Sequence, residues 1–374
     1  MRCNIWKDCP KVPITELLSF IVDNRGKTVP TASYGHKLIA TNCITNNTLF
    51  PVYEKVRYLS DETYNTWFRA HPIPGDILFV NKGTPGRVCM VPDPVDFCIA
   101  QDMIALRADD TKIYNKYLFA VLRSREIQQQ IYNTSVGDVI PHFKKQFLDQ
   151  LLIPIPDRSV QRDIGDCYYL FSYKIELNNK INENLERQAQ AIYREWFTNR
   201  TDSEWQQGHL SDLITVKYGK DHKKLADGAF PVFGSGGLMR KAERPLYDKE
   251  SVLIPRKGTL NNVMYVNEPF WSVDTMFYTE MKLPNVAKFV YHYLKSKDLA
   301  SMNAGSAVPS MTTDILNALE LPIPSSDILE NFENAVSPMY VAMQYNTLES
   351  IKLAELRDIL LPKLMNGEID ADGI

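Results

Sequence analysis

The chain carries a large internal repeat, and this feature limits its possible fold more than any other. Three segments return in the same order: residues 77–84 as 252–259, 122–127 as 294–299, and 153–156 as 321–324. The offset falls smoothly from 175 to 168 residues, as short deletions between two copies would produce. The repeat is much longer than the period of about 20–50 residues that solenoid proteins show. It predicts two similar domains that do similar work side by side.

Composition is typical of an ordinary globular protein. Of the 374 residues, 44% are hydrophobic and 23% are charged, which suits two domains with ordinary cores. No apolar run is long enough to span a bilayer, the first residues do not resemble a signal peptide, and the six cysteines form no C-x-x-C pair. These features predict a cytoplasmic protein with free thiols. The net charge of −3 argues against a non-specific nucleic-acid coat but is compatible with a local basic face.

Shifts in composition divide the chain into domains and helices. Short β-rich runs punctuated by Gly and Pro predict mixed α/β domains, whereas residues 159–197 hold no proline and one glycine, as a long helix would. The predicted fold class is α+β, with five regions: a first domain over 1–157, a central helix over 158–198, a second domain over 199–325, a distal helix over 326–366 and a C-terminal tail over 367–374. Pro338 predicts a kink or a late start in the distal helix.

Both helical stretches carry a heptad seam with polar interruptions. The seam includes Asn178, Ile181 and Leu185 in the first helix and Asn346, Leu353 and Leu356 in the second. Because each helix alone is marginally stable, we expect the two to bury these seams against each other. If a pseudo-twofold axis relates the repeats, the helices pair as an antiparallel coiled coil between the two domains. The matched asparagines can fix the register of the pair, or they can be chance polar residues on a solvated face.

No motif of the chain predicts catalysis or metal binding. The turn over residues 83–86 lacks the G-K-[ST] end of a phosphate-binding loop, and no G-x-S-x-G nucleophile turn is present. The six histidines are scattered, without the H-E-x-x-H spacing of a zinc site. We therefore predict no catalytic residue, no metal and no cofactor on this chain.

Basic loops occur at matching places in both copies and are the best candidates for a binding role. Residues 217–224 form a short basic stretch with one tyrosine, and residues 23–28 are their counterpart. Such loops suit contacts to phosphates and base edges, although a short charge run is more often a solvated face. The candidate DNA-binding residues of the first copy are Arg25 and Lys27 in the loop and Lys82 and Thr84 at the end of a repeated strand. In the second copy they are Lys217, Lys220, His222, Lys223 and Lys224 in the loop and Lys257 and Thr259 at the end of the matching strand.

Four segments of the chain are similar to segments of one known family. Residues 189–197 and 356–369 resemble the ends of that family's two conserved helices, and residues 231–237 and 271–277 resemble parts of its recognition domains. The family comprises the DNA-specificity subunits of type I restriction-modification systems, and the resemblance covers essentially the whole chain.

The resemblance implies a non-enzymatic reader of double-stranded DNA. Two target-recognition domains each bind one half of a bipartite site through the major groove, and the helices set the spacing. Two methyltransferase subunits, which carry S-adenosylmethionine and modify adenine, dock on the helices, and two restriction (translocase) subunits are further partners. An interaction scaffold, with duplicated protein-binding domains on a dimerising coiled coil, is the alternative. A freestanding nuclease or methylase would require an active site that the motifs do not reveal.

Overall fold

The computed structural model describes residues 4–24, 26–137, 139–199, 205–303 and 309–369. They form two compact units. The first unit comprises Met1–Ile181 with Tyr345–Ile374, and the second comprises Asn182–Gln344. Each unit therefore contains one copy of the repeat together with part of both long helices. The domain limits drawn from the sequence stay predictions.

The first copy of the repeat is a mixed arrangement of short strands and helices. Its strands are β1 (Lys11–Pro13), β2 (Leu18–Val22), β3 (His36–Ile39), β4 (Arg57–Leu59), β5 (Ile77–Val80), β6 (Val88–Met90), β7 (Phe97–Ile99), β8 (Met103–Ala108) and β9 (Leu152–Pro154). Its helices are α1 (Ile5–Asp8), α2 (Asp61–Thr66), α3 (Asn115–Leu122) and α4 (Arg125–Thr134). The long helix α5 (Arg158–Arg194) follows, and a short π-helical turn, Glu195–Asn199, extends it.

The second copy repeats this order. Its strands are β10 (Gln206–His209), β11 (Ile214–Tyr218), β12 (Phe230–Gly234), β13 (Gly237–Ala242), β14 (Ser251–Pro255), β15 (Met264–Val266), β16 (Trp271–Ser272), β17 (Met276–Met281) and β18 (Glu320–Ile323). Its helices are α6 (Leu210–Leu213), α7 (Ala287–Lys295) and α8 (Thr313–Asn317), and the long helix α9 (Ser326–Met365) follows. Because α9 is continuous through Pro338, this proline does not mark a late start.

The two copies have the same sheet topology, which confirms the prediction of two similar mixed α/β domains. A four-stranded antiparallel sheet has the order β2-β8-β5-β6 in the first copy and β11-β17-β14-β15 in the second. A three-stranded sheet has the order β4-β3-β7 in the first and β13-β12-β16 in the second, each with one parallel pair. A two-stranded ribbon, β1 with β9 or β10 with β18, completes each copy.

Strand β5 shows why the repeated strands consist of unbroken runs of apolar residues. Alternate side chains of a strand point to opposite faces. Ile77 and Phe79 enter the core formed with α3, α4 and the long helices, whereas Leu78 and Val80 enter a second core under the three-stranded sheet. The strand is therefore buried on both faces, and neither face needs polar residues.

The long helices pair in antiparallel directions within each unit, as the sequence predicted. In the first unit, Asn178 contacts Asn346 while Ser172, six residues earlier, contacts Arg357. In the second unit, the Asn182 amide donates to the carbonyl oxygen of Met343 at 3.2 Å. The rings of Tyr193 and Phe332 lie 6.2 Å apart, further along both helices in the same antiparallel sense.

The predicted seam needs correction at two of its six positions. Ile181 and Leu356 are exposed, and their neighbours Asn182 and Arg357 make the helix–helix contacts instead. Asn182 lies four residues after Asn178 and Arg357 four after Leu353; at 3.6 residues per turn the fourth residue lies about 40° from the seam and the third about 60°, so the fourth makes the contact. At the other positions Asn178 is fully buried, and Leu185, Asn346 and Leu353 are half-buried.

Candidate nucleic-acid interface

The basic stretch predicted over residues 217–224 starts on strand β11, which ends at Tyr218. The loop that follows, residues 219–225, is fastened to the sheet where it begins and is the basic loop of the second unit. The main-chain N–H of Lys220 donates to the carbonyl oxygen of Ser272 at 2.8 Å. Gly219 passes so close to the same segment that an added Cβ would lie 2.0 Å from the carbonyl oxygen of Val273. Only glycine permits this approach, so the loop leaves the sheet along a fixed path.

Arg240 of β13 fastens the rest of the basic loop. Its guanidinium donates to the carbonyl oxygens of His222 and Leu225 at 2.6 and 2.9 Å, and to the carboxylate of Asp227 at 2.8 Å. It also donates to Nδ1 of His222 at 3.2 Å, so this ring nitrogen is an acceptor. The structure thus uses His222 inside the loop, while Lys220, Lys223 and Lys224 are exposed.

The matched Lys-Gly-Thr segments form equivalent turns in the two units. Gly83 and Gly258 have φ angles of +87° and +89°, a left-handed conformation that favours glycine. The N–H of Gly83 donates to the carbonyl oxygen of Pro141 at 2.9 Å, and that of Gly258 donates to Pro309 at 3.2 Å. The duplication therefore extends to the main-chain hydrogen bonds of these turns.

In the second unit the Lys-Gly-Thr turn, the basic loop and the β12–β13 hairpin form one continuous surface. The Arg256 guanidinium lies 5.3 Å from the centre of the Tyr218 ring, which joins the turn to the start of the loop. The amide of Asn262 donates to the carbonyl oxygen of Ser235 at 2.9 Å, which joins the turn to the hairpin. We call this surface, residues 218–224, 235–239 and 256–262, the recognition edge.

The first unit has the same topology at this place but different connections. Strands β3 and β4 are joined by the long segment 40–56, whereas β12 and β13 are joined by residues 235 and 236 alone. The buried Asn24 accepts a hydrogen bond from the N–H of Arg69 at 3.1 Å, which ties the first copy's basic loop to the segment after α2. A shared framework therefore presents unlike loops in the two units.

The candidate residues occupy different environments, and their role in DNA contact stays a prediction. The exposed ones are Lys27, Lys82, Lys220, Lys223, Lys224, Lys257 and Thr259. Thr84 is half-buried, and Lys217 is half-buried on β11 with its Nζ 3.6 Å from a Glu280 carboxylate oxygen. Arg25 lies outside the described residues.

Sequence reasoning missed three residues of the recognition edge. Arg256 was not predicted as a contact residue because it precedes the repeated lysine. Leu238 and Met239 were not predicted because apolar strand residues usually face a core, but both of these side chains are exposed. The Gly-rich turn directly before them was the signal that this strand begins at a hairpin tip.

In the ranges that the structure describes, no cluster of His, Cys, Asp and Glu side chains could hold a metal ion. In those ranges, too, no helix has the length and apolar character needed to cross a membrane.

Comparison with known proteins agrees with this architecture. The family model for the type I restriction modification DNA specificity domain matches residues 23–187 and again residues 202–336. The specificity subunit of the type I restriction enzyme MjaIX from Methanocaldococcus jannaschii is 22% identical, over 79% of this chain and 78% of its own. The specificity subunit of HindI from Haemophilus influenzae is 21% identical, over 79% of this chain and 86% of its own.

A solved structure shows the same fold. The crystal structure of an S subunit of a type I restriction-modification system from M. genitalium has a TM-score of 0.60 and 18% identity, with 96% of each chain covered. The family model matches most of the chain in two separate stretches, one for each copy of the repeat. The chain therefore belongs to the type I restriction-modification DNA specificity family.

Proposed function

We propose that the chain reads a bipartite double-stranded DNA target in the cytoplasm and positions adenine methyltransferase and restriction subunits on it. As a specificity subunit it is distinct from the methyltransferase subunit and has no catalytic role. The observation that carries the proposal is the duplication of one framework, with equivalent Lys-Gly-Thr turns beside unlike loops. Such an arrangement suits two readers that share a mode of binding and differ in the bases that they accept.

The recognition edge of the second unit has the chemistry of a DNA-binding surface. Its exposed lysines, Lys220, Lys223, Lys224 and Lys257, can contact phosphates, which contribute affinity without sequence selectivity. The main chain that presents them is fixed by the contacts of Gly219, Arg240 and Asn262 described above. A fixed main chain keeps side chains in place for base contacts, which supply selectivity.

The outer faces of the long helices support the docking of partner subunits. In the first unit, α5 exposes Leu170, Tyr173 and Leu177 at helical spacing, and α9 exposes Tyr345, Leu348 and Ile351. Exposed apolar stripes of this kind mark protein–protein contacts. We infer that two methyltransferase subunits dock along the helices, that they carry the S-adenosylmethionine, and that two restriction subunits join them.

The alternative is an interaction scaffold that binds only proteins. The helical stripes fit both proposals, because each requires partners on the helices. The basic recognition edge favours DNA, because its four exposed lysines can neutralise phosphates. The two proposals differ in whether the assembled complex selects a DNA sequence.

The test is to purify the chain with its methyltransferase partner and to map methylated adenines on a random-sequence DNA library. A split motif, with a constant spacer between two short half-sites, is the expected result. Mobility shifts on the split motif and on a scrambled duplex then measure the selectivity. Equal binding of both duplexes, without methylation at any motif, would favour the scaffold.

Exchanging one compact unit tests the independence of the half-sites. The exchange should take residues 182–344 from a relative, because Lys288 of α7 pairs with Glu333 of α9 at 2.5 Å and the Tyr291 hydroxyl donates to Glu186 of α5 at 2.5 Å. An exchange limited to residues 199–325 would separate these partners. One half-site should change and the other should remain. A change in both half-sites would contradict independent reading.

A further inference from the structure

Exposed apolar side chains of the second unit concentrate on the recognition edge. Leu238 and Met239, the first residues of β13 after its glycine, are 60% and 56% exposed. In the described part of this unit, the other exposed large hydrophobic residues are Tyr218, Leu283 and Val341, and Tyr218 also belongs to the edge. An isolated exposed leucine needs no explanation. Two such neighbours at the tip of one hairpin require one. Met239 lies at a shift in the β12–β13 register, where Phe233 pairs with Leu238 and Val232 with Arg240, and both apolar side chains are exposed.

The hairpin that carries Leu238 and Met239 is held firmly. Gly237 has a φ of +109°, which favours glycine at the end of the turn. An added Cβ on Gly234 would lie 2.5 Å from the Met239 sulfur, so the side chain of Met239 covers this glycine closely. Asn262 holds the turn from one side, and Arg240, the next residue of the strand, holds the base of the hairpin. The two apolar side chains therefore stand on a preorganised main chain.

Exposed lysines occur on the same strand and on the neighbouring loops. Lys241 on the same strand is exposed, as are Lys220 and Lys257 on the neighbouring loops. A surface that carries lysines and an apolar tip complements a groove lined by phosphates. Within the major groove, thymine is the base that carries a methyl group, at C5. Aliphatic side chains presented there gain more apolar contact from thymine than from any other base.

We propose that Leu238 and Met239 are specificity-determining residues that select thymine in the half-site of the second unit by packing against its C5-methyl group. The inference rests on the proposed function, because it takes this unit to enter the major groove. It adds a base preference that the lysines cannot supply. A half-site that contains a modified adenine already holds one thymine on the opposite strand.

The experiment removes the thymine methyl without changing a hydrogen bond. The complex with the methyltransferase partner is titrated on its mapped target and on a duplex with deoxyuridine in place of thymine in the second half-site. Burial of one methyl group corresponds to about a fourfold change in affinity. We expect the uridine duplex to bind about fourfold more weakly for each methyl contacted. The double variant L238S/M239S should bind the thymine duplex more weakly and should bind both duplexes equally.

Leu283→Ser is the matched control. Leu283 is also exposed, but it follows the far end of β17, away from the recognition edge. This variant should keep the full preference for thymine. Both changes replace exposed residues, and an unchanged melting temperature confirms that the fold is intact.

The outcomes separate this inference from the function on which it rests. Selective binding of the mapped target with no difference between thymine and uridine would overturn the inference and leave the function standing. Weaker binding by L238S/M239S with the thymine preference retained would overturn it as well, since the side chains would then act as a wedge or a spacer. Absence of any sequence-selective binding would instead contradict the proposed function.

Discussion

The side-chain amide of Asn178 donates a hydrogen bond to the main-chain carbonyl oxygen of Asn346, across the helix pair, at 3.3 Å. The same nitrogen lies 2.8 Å from a Glu349 carboxylate oxygen and 3.2 Å from the Ser350 hydroxyl. Asn178 is fully buried, so its amide is not solvated in the folded pair. All three acceptors belong to adjacent turns of α9, and a slip of one helix past the other would remove them from reach.

Replacing Asn178 with alanine should destabilise the protein. The change removes a donor that reaches three acceptors of α9, and the net contribution of a hydrogen bond to stability is about 0.5–1.5 kcal/mol. Urea titration followed by circular dichroism should show a lower midpoint. Asn179→Ala, at the exposed neighbouring position, is the control and should leave the midpoint nearly unchanged. Equal midpoints for the two variants would contradict a structural role for Asn178.

The seam residues show which features of the helix pair can be predicted from the sequence. The pairing of the helices followed from the repeat and from periodicity, because both are properties of the whole segment. The individual contacts did not follow. Arg357 lies buried in the pair because its guanidinium reaches Ser172, and no count of apolar positions would place an arginine there.

The recognition edge, too, could be predicted from the sequence only in part. Its lysines were visible as charge, and its Lys-Gly-Thr turn was visible because it is repeated. The hairpin was not assigned to the edge, because only the hydrogen bond from Asn262 to Ser235, between residues distant in sequence, brings it there. Short-range patterns cannot encode such a contact, so the exposed pair Leu238 and Met239 emerged only from the fold.

Acid should weaken the second unit through His292. Burial lowers the pKa of this histidine to about 3, and the charges of Lys295 and Lys288 add to the effect. The ring is fully buried between the side chains of Gln190, at 2.7 Å from Nδ1, and Tyr340, at 2.9 Å from Nε2.

The direction of the pH dependence follows from these values. Unfolded histidine takes up a proton near pH 6.5, so between about pH 6.5 and 3 the unfolded state binds more protons than the folded one. Stability attributable to His292 is complete above pH 6.5 and falls as the pH is lowered, by up to about 1.4 kcal/mol per pH unit. Urea midpoints between pH 7 and 4.5 should fall less steeply for His292→Gln than for the wild type. The surface variant His209→Gln should keep the wild-type slope, and parallel slopes for all three proteins would refute this role of His292.

The lysines of the basic loop should govern the salt dependence of DNA binding. Each phosphate contact that is lost reduces the slope of log K against log[salt] by about 0.9. Changing Lys220, Lys223 and Lys224 to alanine should therefore weaken binding on all duplexes and flatten the slope by up to about 2.7. Lys249→Ala is the control, since this exposed lysine precedes β14 at the end opposite to the Lys-Gly-Thr turn. If the triple variant retained the wild-type slope, the loop would be an ordinary solvated surface.

The length of the helix pair should set the spacer between the half-sites. The compact units meet along the sequence between Ile181 and Asn182 in α5 and between Gln344 and Tyr345 in α9. Insertions belong at these two points, because positions further along, such as Ala189, are buried in the core of the second unit. Both helices must be lengthened together, since they are antiparallel and a single insertion would shift one seam against the other.

Four residues added at each point extend the pair by about 6 Å and turn the seam by about 40°, the phase shift of a stutter, which locally unwinds the helix pair. Each base pair advances a half-site by about 3.4 Å, so the preferred spacer should grow by one or two base pairs. Methylation mapping of the variant complex on a library of spacer lengths measures this preference, with both half-sites expected to be unchanged. A single insertion in α5 alone is the control and should lower the melting temperature. A doubly extended variant that folds and still prefers the original spacer would show that the helices do not set the distance.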